Sequence, residues 1–74
     1  MARLPILRAQ EVIGASEKAC FQVIGQKGSH VRMRHADGRV VTVPVHAGRD
    51  IGRGLLRKIL RDAELTHEAF LELL

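Results

Sequence analysis

Apolar and polar positions follow two different rhythms along this chain, and the changes of rhythm divide it into elements. From about Arg8 to Ala19, the residues Val12, Ile13, Ala15, Ala19 and Cys20 fall on or near one face at helical spacing, with Gln10, Glu11, Glu17 and Lys18 mostly elsewhere. Pro5 precedes this helix and can help to start it, Gly14 weakens it, and Ser16 stands where a larger apolar residue would pack better. Phe21, Val23 and Ile24 predict a short strand, with Gly25 to Ser29 as the turn that follows. His30 to Arg34 then alternates with period two, which assigns Val31 and Met33 to a core face and His30, Arg32 and Arg34 to the other. Ala36, Asp37, Gly38 and Arg39 carry the Asp-Gly signal of a hairpin, and Val40 to Val43 reads as a third strand ending at Pro44.

After a loop from His46 to Gly52 the helical period returns at Arg53, with Leu55, Leu56, Ile59 and Leu60 as its apolar face. Arg53, Arg57 and Arg61, four residues apart, are expected to stack as a basic ridge on the outside, with Lys58 beside them. Thr66 suits the N-cap of a last short helix containing Glu68, Phe70, Leu71, Leu73 and Leu74. Short loops between the strands make the sheet antiparallel. The expected architecture is α+β, one domain over residues 1–74, ordered helix, three-stranded antiparallel sheet, helix, short helix.

Charge adds a functional direction. The net charge is +4 over 74 residues, but Gly25 to Arg61 holds nine Lys or Arg against only Asp37 and Asp50, and Asp62 to Leu74 holds four acids and no Lys or Arg. A basic middle of this kind suits a polyanion, because each neutralised phosphate releases counterions; a solvated basic face would read the same way. Phe21 and Phe70 are the only aromatic residues apart from the histidines, which disfavours recognition by stacking bases on aromatic platforms. Cys20 is the only cysteine, so an intramolecular disulfide is impossible and a reducing, cytoplasmic setting is expected. No apolar run approaches the roughly 20 residues of a membrane span, and Met1 to Leu7 lacks the apolar core of a signal peptide.

His30 is the leading candidate for chemistry. RNA carries its own nucleophile, the 2′-hydroxyl, so cleavage needs a base for that hydroxyl, an acid for the leaving 5′-oxygen and cations for the phosphate. A metal is not obligatory. Histidine ordinarily titrates near pH 6.5 and can serve in either proton-transfer role. Lys27, Arg32 and Arg34, if they share its face, could hold the phosphate, and Gly28 permits an unusual turn or close backbone approach. The spacing alone fits equally a half-exposed strand histidine without a role. His46, two residues after Pro44, is either a partner imidazole or a loop cap; His35 and His67 read as surface residues. Ser29 carries no evidence of a serine nucleophile, and His30, His35 and His46 match no compact metal-ligand pattern.

The order of these pieces resembles the HicA family, small bacterial toxins that act as messenger-RNA interferases and are paired with a HicB antitoxin. The matching residues are Glu17, Lys18 and Ala19 before Phe21; Gln26, Lys27, Gly28, Ser29 and His30; Asp37, Gly38 and Arg39 before Val41; Thr42, Val43, Pro44 and His46; and Gly54, Leu56, Arg57, Ile59 and Leu60. The resemblance spans about Arg8 to Phe70. It implies a double-stranded-RNA-binding-domain-like fold, α-β-β-β-α, with His30 as the catalytic histidine. It also implies no metal cofactor and inhibition by a HicB-like antitoxin, and the residues expected at the RNA are Lys27, Gly28, Ser29, Arg32, Arg34 and His46. Three residues depart from the family pattern: Cys20 where Gly is usual, Ser16 where Leu is usual, and Val31 where a second His often follows the first. The expectation is a metal-independent endoribonuclease of a toxin-antitoxin pair. The alternatives are a noncatalytic RNA-binding module and a degenerate toxin that only binds its partner.

Overall fold

The structure, a computed structural model, describes residues 3–46 and 48–74. A minimal strand β1 (Leu7–Arg8) leads into helix α1 (Ala9–Lys18). Three strands follow, β2 (Phe21–Lys27), β3 (His30–His35) and β4 (Val40–Pro44), then β5 (Asp50–Ile51), α2 (Arg53–Ala63) and α3 (His67–Leu71). β2, β3 and β4 form one antiparallel sheet in that order, and β1 pairs with β5 in a second, two-stranded one. The α-β-β-β-α plan with a short last helix is the expected one. The β1–β5 pair was not expected.

The alternation of β3 sorts its residues as read from the sequence. Val31 and Met33 are buried with Val41 and Val43 of β4, Val12 and Ala15 of α1, and Leu56, Ile59 and Leu60 of α2. His30, Arg32 and Arg34 are exposed on the opposite face. Helices therefore cover one side of the sheet and leave the other open.

β2 departs from the expectation in two ways. It runs on through Gly25 and Gln26 to Lys27, so Gly28 and Ser29 alone make the turn. It also contributes only Phe21 to the core, while Val23 and Ile24 are exposed. The register explains both: Val23 pairs with Met33 but Gly25 with Arg32, which leaves Ile24 as the extra residue of a β-bulge. In an unbroken strand Lys27 would share the core-facing side of Phe21, because both are odd-numbered. The bulge reverses that parity, and Lys27 emerges on the open face opposite His30.

α1 starts one residue later than expected, with Arg8 as an extended N-cap whose N–H donates to the Glu11 carboxylate at 3.0 Å. Pro5 lies before β1, outside the first helical turn. Ser16 is buried and satisfies its hydroxyl locally by donating to the Val12 carbonyl at 2.7 Å. Cys20 is not on the buried helix face. It is exposed just past the helix, at φ 72°, the left-handed region that favours glycine.

The hairpin after β3 is tied to the end of α2 by one arginine. Arg39 Nε reaches both Asp37 carboxylate oxygens, at 3.0 and 2.8 Å, its guanidinium lies 5.3 Å from the Phe21 ring centroid, and its Nη1 donates to the Ala63 carbonyl. A cation at that position also suits the negative end of the helix. His35 is half-buried against the Phe21 ring in an edge-on contact at 5.3 Å, so it is a packing residue and not the surface residue expected; His67 is half-buried too.

The expected arginine ridge on α2 is shorter than its spacing suggests. Arg57 and Arg61 are exposed, but Arg53 is half-buried and donates from Nε to the Leu4 carbonyl at 2.6 Å, fastening the amino-terminal segment to α2. Leu55 lies at the margin of the apolar face and is about a third exposed, at 37%. Thr66 caps α3 as expected, its hydroxyl oxygen accepting from the Ala69 N–H at 3.0 Å. Phe70 is fully buried.

Candidate functional site

Lys27 and His30 are the last residue of β2 and the first of β3, directly opposite one another in register. Directly opposed residues of an antiparallel pair project to the same side, so these two sit together on the open face. Along that face Arg32 lies between Gly25 and Thr42, and Arg34 between Gln22 and Val40. Strand geometry spaces His30, Arg32 and Arg34 by roughly 7 Å each, comparable with the phosphate repeat of an extended nucleic-acid strand. The register partners on this face include no acidic residue. Among the described residues the ion pairs are His35–Asp37, Arg39–Asp37 and Lys58–Asp62, so the charges of Lys27, Arg32 and Arg34 are not neutralised within the chain.

The turn that presents His30 depends on Gly28, whose φ of +57° is in the left-handed region. A positive φ at the first loop position alone matches the demand of a two-residue hairpin. Gln26 supports the turn by donating from Nε2 to the Gly28 carbonyl at 3.1 Å. Ser29, in the turn and not in the strand, is half-buried. Its carbonyl accepts from the Val45 N–H, and its hydroxyl lies 3.5 Å from His46 Nε2, at the outer limit of a hydrogen bond. The chain leaving β4 is thus drawn back to the turn, and His46 with it.

His30 and His46 consequently line the same depression, about 300 Å³ in volume, together with Pro44, Arg49, Asp50, Ile51 and Leu55. Sequence reading singled out both histidines and Lys27, Gly28, Ser29, Arg32 and Arg34; the fold brings Lys27, Gly28, Ser29, His30 and His46 to one end of the sheet, while Arg32 and Arg34 extend along the open face toward the other end. It left out Arg49, Asp50 and Leu55. Arg49 and Asp50 had only the appearance of loop residues, and Leu55 that of a core residue. Arg49 is held there by its own N–H, which donates to the His46 carbonyl at 3.1 Å, while the Val45 N–H ties the same stretch to Ser29 beside His30.

His35 stands apart from the other two candidate metal-ligating histidines. It follows His30 by five residues on the same strand, hence roughly 17 Å away and on the opposite face. Among the described residues no group of three or more His, Cys, Asp or Glu converges as a metal site. Val31, where the family pattern often has a second His, is buried in the core. A side chain at that position faces away from His30, so the valine supplies packing and subtracts nothing from the open face.

No curated protein sequence matches the chain at a significant level. A family model described as the HicA toxin of bacterial toxin-antitoxin matches residues 9–65, which takes in α1, all three strands of the main sheet, the turn bearing His30 and the whole of α2. The chain belongs to the HicA toxin family.

Proposed function

We propose that this toxin is a metal-independent endoribonuclease that cleaves messenger RNA, with His30 as a general acid or base. The observation that carries this reading is the open sheet face, where an exposed imidazole is flanked by Lys27, Arg32 and Arg34 without an acidic neighbour in register. In the reaction the 2′-oxygen attacks the adjacent phosphorus as its proton passes to a base. The bond to the 5′-oxygen breaks as that oxygen receives a proton, leaving a 2′,3′-cyclic phosphate and a 5′-hydroxyl. The cations counter the charge that grows on the non-bridging oxygens. His30 performs one proton transfer, and His46, on the wall of the same depression, is the candidate for the other. Ser29 and the Gly28 backbone complete the phosphate-facing turn.

A HicB-like antitoxin would inhibit by covering this basic face, and an acidic surface is the complement it calls for. The same face would have to admit either RNA or antitoxin.

The deciding experiment is cleavage of messenger RNA by purified protein and by His30→Ala, with the fold of the variant checked by circular dichroism. Loss of one acid–base group is expected to slow cleavage by about 10²–10⁴-fold. Undiminished cleavage by the folded variant would refute the assignment. Chelation is expected to leave the rate unchanged, and a loss of activity on chelation would require a metal mechanism. A shift of RNA mobility without new RNA ends would instead identify a binding module.

A further inference from the structure

We infer that the depression beside His30 continues as a groove for single-stranded RNA, in which Arg49 and Arg8 hold a backbone phosphate away from the bond that is cut. The inference rests on the ribonuclease reading and extends it. A second depression of about 430 Å³ adjoins the first and is lined by Arg8, Gln10, His46 and Arg49 among others. His46, Arg49 and Asp50 line both, so the two hollows meet along these three residues.

The connection is a product of topology. β5 pairs with β1 so that Asp50 stands opposite Arg8 and Ile51 opposite Leu7, which brings the start of α1 against the loop after β4. Arg8 and Arg49 are both exposed, and among the described residues neither is in an ion pair. Among the described residues Asp50 is the one carboxylate on the two walls. It repels a phosphate that comes too near and so favours one seated toward the arginines.

Single-stranded RNA is the occupant that fits. In-line attack needs the 2′-oxygen, phosphorus and 5′-oxygen in a row, an alignment that a stacked A-form strand does not present. The exposed flank of Leu55 and the ring of Pro44 give a splayed base an apolar surface beside His30, without an aromatic platform. A strand laid from Lys27 and His30 across His46 would bring a neighbouring phosphate to Arg49 and Arg8.

The test uses His30→Ala protein, so that RNA is bound without being cut, and a labelled single-stranded RNA of about a dozen nucleotides. Affinity is measured over a range of salt concentrations. The slope of log affinity against log salt is negative, and each lost phosphate contact is expected to decrease its magnitude by about 0.7. Arg49→Ala and Arg8→Ala should each show that decrease, Arg49→Lys should restore it, and Asp50→Asn should bind more tightly. Arg57→Ala, which removes an exposed charge from α2, should leave the slope unchanged. An unchanged slope in Arg49→Ala, an equal decrease in Arg57→Ala, or no RNA binding by the parent overturns the groove. Arg49-dependent binding by a His30-bearing protein that never cuts RNA would uphold the groove and refute the ribonuclease reading.

Discussion

Lys27 faces His30 directly across the turn between β2 and β3. The ammonium is thereby the cation nearest in register to the candidate acid–base group. It is expected to act on the charge that develops at the phosphate, more than on binding of the RNA as a whole. Lys27→Ala should lower kcat by about tenfold or more with a smaller change in KM, since a contact strengthened in the transition state is lost mainly from the chemical step. Lys27→Arg should recover part of the loss. The measurement is steady-state cleavage of a short RNA, and a change confined to KM would assign Lys27 to ground-state binding.

Gly28 holds the turn at φ +57°, and a Cβ added there would meet nothing within 4 Å. The penalty for substitution is therefore backbone strain alone. Gly28→Val should destabilise the protein by roughly 1–2 kcal/mol, the cost of a left-handed conformation for a residue with a side chain. Urea unfolding would show it as a lower midpoint at unchanged slope. A midpoint equal to that of the parent would show that the turn accommodates the residue by another route.

Cys20 presents the reverse case, a non-glycine residue at φ 72° where the family pattern usually has Gly. Its side chain is exposed, so little packing is lost on its removal. Cys20→Gly should stabilise by about 0.5–1 kcal/mol, relief of strain outweighing the greater freedom of glycine in the unfolded chain. A drop in the urea midpoint would show instead that the thiol contributes packing.

Hydrogen bonds from the Arg39 side chain, and then from its backbone N–H, hold the Asp37 carboxyl below its ordinary value of 3.8. A carboxylate depressed in the folded state contributes stability that is present above its unfolded pKa and lost as the pH falls through the folded one. The hairpin should therefore loosen as the pH drops below about 4. Asp37→Asn should flatten stability against pH in that acid range, as read from urea midpoints. An unchanged acid dependence would show that other carboxylates carry it.

Much of the fold was legible because β3 alternates without interruption and α2 keeps its apolar residues at helical spacing. The same rules mislabelled residues whose surroundings are set from a distance. Arg53 shares the spacing of Arg57 and Arg61, yet a carbonyl from Leu4 draws it inward. Val23 and Ile24 are as apolar as their counterparts in β4, but they lie on a bulged edge strand and remain exposed. His35 looks like a third solvent-facing histidine until its odd-numbered place on β3 sets it beside Phe21. For the site, identity was easier to read than company: His30 and His46 stand out individually, while Arg49 and Leu55 join them only once the stretch after β4 and the start of α2 have folded back beside the turn between β2 and β3.

The bulge at Ile24 makes chain length a functional variable in its own right. A strand that begins with Phe21 in the core can end with Lys27 beside His30 only because one residue more is spent on β2 than on β3. A deletion of Ile24 would leave every residue of the Gln26–His30 run in place and still turn Lys27 to the wrong side of the sheet. The motif would remain intact in spelling while its meaning was lost.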